Sequence, residues 1–183
     1  EEVNDDINMN RLEAKIIKIL ANNLLQNNRP NEQKFIFDAS MLKYHQAAQT
    51  WQNAIRISGQ ELLAKHSIEE QYVNNIISNI ENFGPYMIIA PGVLLAHAGE
   101  QDGVLNNGFS MHVFHEPITF PGENVFPVSV IMTIAVKDRT SYHVVERIVQ
   151  WVLDEETIFS LADEKNRQRI EQMIRNILMM QEV

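Results

Sequence analysis

Six histidines and no cysteine bound the covalent chemistry open to this 183-residue chain. Without a thiol there is no disulfide, no thiolate zinc site and no cysteine nucleophile, so any reactive side chain has to be of another kind. His97 has the most suggestive setting. It closes the apolar, strand-like run Ile89-Ala90-Pro91-Gly92-Val93-Leu94-Leu95-Ala96, and the chain then breaks into Ala98-Gly99-Glu100-Gln101-Asp102-Gly103. A ring at a strand end that opens into a glycine-containing loop is exposed to a partner. Free imidazole titrates at about 6.5 and carries a lone pair on one ring nitrogen when neutral, so it is nucleophilic near neutral pH without a base.

The other candidates are weaker. His112 and His115 lie three positions apart near a strand end and so point to opposite faces, a poor pair of metal ligands; no metal site is expected. His45 and His66 read as surface residues. Ser110 and Ser141 could be paired with His97 or His143 in a hydrolase, but no Gly-x-Ser-x-Gly elbow occurs and Ser141 is more simply a helix cap. Glu100 and Asp102 read as a solvated loop edge, with recognition of a basic partner as the alternative.

The elements that must position these residues follow from periodicity. Ile7 to Leu25 repeats apolar residues at helical spacing and runs into Asn27-Asn28-Arg29-Pro30, an N-terminal helix and linker over 1–33. The first residue is not methionine, and this helix and linker read as a junction to something upstream, with a trimmed tag as the alternative. Phe35-Ile36-Phe37 is a short strand candidate. Trp51 to Lys65 is expected to be helical despite Gly59, and Ser67-Ile68-Glu69-Glu70 has capping-box spacing ahead of a helix that ends at Gly84-Pro85. Strand character follows at Tyr86 to Ala90, Val93 to Ala98 and Phe109 to Phe114, and Val128 to Val136 is the best buried strand. Asp138-Arg139-Thr140-Ser141 offers cap oxygens to a helix with Val144, Val145, Ile148, Val149 and Val152 on one side. A short helix from Asp154 and a final one over 163–180 complete the chain. Strands in the middle and helices at both ends give an α/β fold, a three-layer α/β/α domain with a mixed central sheet, preceded by the N-terminal helix.

Charge excludes some functions. The net charge is −9, and no lysine or arginine occurs between Lys65 and Lys137, where seven acidic residues fall. A nucleic-acid surface needs clustered cations, so DNA or RNA is not an expected partner. No apolar run reaches the ~18 residues of a membrane span, and the acidic N-terminus is unlike a signal peptide; a cytoplasmic protein is expected.

Trp51-Gln52-Asn53-Ala54-Ile55-Arg56, Gly59, Leu62-Leu63, Tyr72, Gly84-Pro85-Tyr86, Ala90-Pro91-Gly92, His97-Ala98, and Asp138 with Ser141 and His143 together resemble the enzyme IIA domain of the bacterial sugar phosphotransferase system, of the mannitol, fructose and ascorbate class. The similarity covers roughly residues 35 to 180, within a domain placed at 34–183. Gly-Pro-Tyr and Ala-Pro-Gly lean toward the ascorbate-like branch and toward IIA-like domains of sugar-responsive transcription regulators. The resemblance implies that His97 accepts a phosphoryl group from the phosphocarrier HPr, with His143 as a nearby phosphate-stabilising histidine. No cofactor is implied. The recipients implied are an enzyme IIB cysteine or upstream regulator domains; the regulator-domain reading is preferred, with a stand-alone carrier and a non-phosphorylated interaction domain as alternatives. His143 at a helix start could donate to a phosphate oxygen, aided by free backbone N–H groups. Two positions depart from the pattern: the family often has Pro before the histidine and Arg two residues after it, where this chain has Ala96 and Gly99. Lys137 and Arg139, near His143, are the nearest basic candidates, and Arg139 is taken as the supporting cation.

Overall fold

The computed structural model describes residues 34–179, so the expected N-terminal helix and linker lie outside the described residues. Five strands form one sheet: β1 (Leu42–His45), β2 (Ile88–Ala90), β3 (Val93–Ala96), β4 (Gly108–Ile118) and β5 (Val128–Ala135), in the order β1-β4-β5-β3-β2. The β1–β4 and β3–β5 pairs are parallel and the β4–β5 and β2–β3 pairs antiparallel, so the sheet is mixed as expected.

Helices α1 (Trp51–Ala64) and α2 (Glu70–Phe83) cover one face; α3 (Tyr142–Val152), the short α4 (Glu155–Leu161) and α5 (Arg167–Met179) follow the strands. Each face has its own core. Ile55, Leu62, Ile76 and Ile80 pack with Leu94, Phe114 and Ile131, while Val144, Ile148, Ile170 and Ile174 pack with Met111, Val113, Val130 and Met132. In β5, Ile131 faces the first core and Met132 the second, which is why that strand reads as an unbroken apolar run and not an alternating one. Truncating such a residue to alanine costs about 2–5 kcal/mol in transfer and cavity terms. Among the described residues no helix is long and apolar enough to cross a membrane.

Local chemistry sets the boundaries. Thr50 caps α1 by accepting the Asn53 N–H at 3.0 Å. Pro91 and Gly92 turn β2 into β3, and Gly92 at φ 79° supplies the left-handed conformation that a proline-led tight turn requires at its next position. Close approach also fixes Gly108: a Cβ there would stand 2.7 Å from Leu62 Cδ2 and 2.9 Å from Ser67 Cβ, so only glycine lets β4 start beneath the end of α1.

Several expectations are corrected. Phe35-Ile36-Phe37 makes only an isolated bridge from Ile36 to Gly108, and the parallel edge strand is instead Leu42–His45, entered from a turn of 3₁₀ helix capped by Asp38. The capping box at Ser67 does not form: α2 starts after Glu69, with no side-chain cap, and Ser67 is buried against Gly108. Ser141 precedes α3 without capping it. Its Oγ accepts instead from the Asn107 amide at 2.8 Å, while Asp138 caps the 3₁₀ turn Arg139–Ser141. The final helix begins only at Arg167, after a separate 3₁₀ turn.

Candidate functional site

His97 stands one residue beyond β3, where the sheet stops pairing and a cleft of about 350 Å³ opens. Its Nδ1 lies 2.8 Å from the Leu95 carbonyl oxygen. A carbonyl only accepts, so Nδ1 carries the hydrogen and the lone pair of the neutral ring falls on Nε2. Tyr86, half exposed, stands edge-on to the ring at 6.1 Å between centroids. The local geometry therefore fixes both the tautomer and the reactive nitrogen.

The loop after His97 is held at two points. The Tyr72 hydroxyl, on α2, accepts the Ala98 N–H at 3.0 Å and donates to the Ile134 carbonyl of β5 at 2.6 Å. Tyr72 is 1% exposed, and burial pushes its phenol well above the ordinary range, so it stays a protonated donor. Asp102 is the second point: Oδ2 accepts the Gly99 N–H at 2.7 Å and Oδ1 accepts the Asn75 amide at 2.9 Å. The expected solvated loop edge is thus corrected for Asp102, which ties the loop to itself and to α2.

The cleft sets His97 against α3, through Tyr142, Val145 and Glu146, and Glu100 also lines it. Among the described residues no lysine or arginine lines it. His143 occupies the second position of α3, half-buried, with Nδ1 2.7 Å from the Thr140 carbonyl oxygen, and Arg139 is exposed in the preceding 3₁₀ turn; neither is a cleft-lining residue. Lys137 donates from Nζ to the Val104 carbonyl at 2.9 Å. Asn107 joins these segments, accepting the Lys137 N–H at 2.7 Å while donating to Ser141.

The remaining candidates serve the fold. Ser110 is buried and donates to the Ser58 carbonyl at 2.7 Å. His45 is not a surface residue: it stacks on His112 with 5.1 Å between centroids, and its Nε2 lies 2.9 Å from His112 Nδ1. Fully buried His112 in turn presents Nε2 to Glu61 Oε2 at 3.0 Å, and Glu61 also pairs with Lys43. His115 is exposed and His66 is exposed in a turn. Among the described residues no group of three or more acidic or histidine side chains is arranged to hold a metal ion. Sequence reasoning missed the roles of Tyr72, Asn75, Asp102 and Asn107. All four act through contacts 26 to 62 positions away, and Asp102 also through a carboxylate that looks like any loop acid.

The chain is a mixed five-stranded sheet between two helical layers, with His97 just past the end of an interior strand, and comparisons with known proteins supply its family. The family model "Phosphoenolpyruvate-dependent sugar phosphotransferase system, EIIA 2" matches residues 34–177, and the chain belongs to this family. The ascorbate-specific EIIA component of Escherichia coli K12 is 33% identical over 129 residues, covering 69% of this chain and 84% of that protein. Among solved structures, the mannitol-specific cryptic phosphotransferase enzyme IIA of Escherichia coli superposes with a TM-score of 0.69 at 28% identity, covering 76% of this chain and 95% of the other. A IIA protein of Streptococcus mutans gives 0.66 at 25% identity, covering 76% and 89%. Membership supports a phosphoryl-carrier role in sugar uptake.

Proposed function

We propose that His97 accepts a phosphoryl group on Nε2 from phosphorylated HPr. The observation that carries this is the Nδ1 hydrogen bond to Leu95, which leaves Nε2 as the free nucleophile beside an open cleft. In the transfer, the donor's N–P bond breaks as the His97 Nε2–P bond forms. The donor ring, protonated on its other nitrogen, leaves as neutral imidazole with the electron pair of the broken bond, and His97 keeps its Nδ1 hydrogen, donated to the Leu95 carbonyl, so that its phosphorylated ring carries the positive charge. No general base is required, and catalysis comes down to positioning and to the charges around the phosphoryl oxygens. His143 and Arg139 stand at the N-terminal end of α3 and are proposed as supports for the phosphoryl group, with residues 34–183 as the functional unit.

The recipient proposed from the curated relatives is the cysteine of an ascorbate-type enzyme IIB. The mannitol IIA of Escherichia coli, which shares the fold at 19% identity, has been solved in complex with its phosphorylated enzyme IIB. A second reading, as the sensor domain of a sugar-responsive regulator, is favoured by one observation: among the described residues Glu100 and Glu146, and no lysine or arginine, line the cleft. A phosphoryl group adds about −1.5 to −2 charges, and beside two carboxylates that charge would act as a switch more readily than as a stored intermediate. Incubation of phospho-chain with ascorbate-type enzyme IIB separates the two readings. Rapid discharge supports the carrier, and a phospho-chain that persists for hours beside active IIB supports the sensor.

A further inference from the structure

The register of β3 against β5 exposes a substitution in the ladder next to His97. Ala96 pairs with Thr133, and the bond from the Val130 N–H to the Gly92 carbonyl sets which residues of β3 face β5. Continued by two residues, that pattern puts Ala98 opposite Ala135 and directs the Ala98 N–H to the Ile134 carbonyl. Both of those groups instead bond to the Tyr72 hydroxyl, at 3.0 and 2.6 Å. We propose that Tyr72 is a positioning residue for His97, its hydroxyl spliced into the β3–β5 ladder as a one-atom spacer that splits the two strands and so opens the cleft.

The split ends are the cleft walls. Leu95, His97 and Ala98 line it from the β3 side, and Ile134 and Val136 from the β5 side. If Ala98 bonded directly to Ile134, β3 would run on and His97 would sit opposite Ile134 within a continuous sheet. The hydroxyl is suited to the spacer's place because one oxygen can both accept and donate, satisfying two buried backbone groups that would otherwise be orphaned. Phenylalanine keeps the ring and its packing but can do neither.

This inference rests on His97 as the phosphoryl acceptor, and its test uses readouts with and without phosphorylation. In Tyr72→Phe, the Ala98 amide is expected to exchange with solvent at least about tenfold faster, while the Ile131 amide within the ladder is unchanged. Phosphorylation of His97 by phosphoramidate, a small donor that needs no docking surface, is expected to fall roughly 10- to 100-fold. With phosphorylated HPr, kcat falls and KM stays within about twofold, because the docking surface is intact. An unchanged Ala98 exchange rate overturns the splice, and wild-type phosphorylation kinetics in the variant overturn the positioning role. Should the variant fail to fold, the wild-type chain still decides: a slowly exchanging Tyr72 hydroxyl proton, seen by NMR, is required, and its absence overturns the proposal. A wild-type chain that accepts phosphate from neither donor removes the acceptor reading of His97 and the positioning role with it, whatever Ala98 does.

Discussion

Asp102 Oδ2 accepts the Gly99 N–H at 2.7 Å, and a Cβ on residue 99 would stand 2.9 Å from that same oxygen. An arginine at this position would therefore crowd the Asp102 carboxylate and push it off the Gly99 N–H it holds. Replacing Gly99 by arginine is expected to destabilise the chain by about 1–3 kcal/mol, through the crowding and the loss of a charged hydrogen bond. In an Asp102→Ala background the same replacement should cost much less. A double-mutant cycle from urea unfolding measures this, and strict additivity would mean that the two positions do not compete.

Acid should weaken the fold in two windows set by the network behind α1. Burial raises the Glu61 carboxyl, but hydrogen bonds from His112 and Lys43 outweigh it and hold the group at about 2, below its ordinary 4.5. Its contribution is full above 4.5 and is lost as pH falls toward 2. Burial, then the neighbouring His112 and Lys43, push His45 below its ordinary 6.5, so its neutral form is favoured by folding and its contribution is lost as pH drops through the lowered value. Unfolding free energy measured from pH 7 to 3 is expected to fall throughout. Glu61→Gln should flatten the lower window and His45→Gln the upper one; parallel curves for wild type and both variants would contradict this.

Gly108→Ala tests whether contact, and not conformation, fixes that glycine. The added Cβ would meet Leu62 and Ser67 at less than 3 Å, so a loss of about 1–3 kcal/mol is expected, visible as a lowered Tm. Leu62→Ala in the same chain removes one of the two obstacles, and the effect of Gly108→Ala should then shrink. No change in Tm for the single variant would show that the end of α1 yields without cost.

Arg139→Ala and His143→Gln address the proposed supports. Arg139→Ala is expected to slow phosphorylation severalfold at low salt and less at high salt, since the residue is exposed and its charge is screened. His143→Gln should lower the rate further, because the ring stands in the first turn of α3. Stopped-flow transfer from phosphorylated HPr gives both values, and wild-type rates would remove the residue concerned from the site.

Most of the fold was legible because apolar period reports burial directly. The helices at Trp51–Ala64 and Glu70–Phe83 and the strand Val128–Ala135 lie close to where their patterns place them. β1 was not legible: Leu42-Lys43-Tyr44-His45 alternates apolar and polar residues over only four positions, too short a run to stand out, and its polar face is engaged by Glu61 of α1 and His112 of β4, not by solvent. The same long-range pairing hid His45 and His112, which look like solvent-facing polar residues until the sheet is assembled. In the site, the strand-end setting and the resemblance singled out His97, whereas Tyr72 entered as one residue of the resemblance and an apolar position on a helix face, with no role attached. Its hydroxyl acquires a role when α2 is laid across the end of β3, a relationship carried by tertiary packing and not by spacing.

The most direct measurement is phosphorylation of the purified chain by phosphoenolpyruvate, enzyme I and HPr, with the modified residue mapped by mass spectrometry under alkaline conditions and the ring nitrogen assigned by NMR. Phosphate on His97 Nε2, absent in a folded His97→Ala variant, is the expected result. Phosphate retained in that variant, or found on another histidine, would contradict His97 as the acceptor.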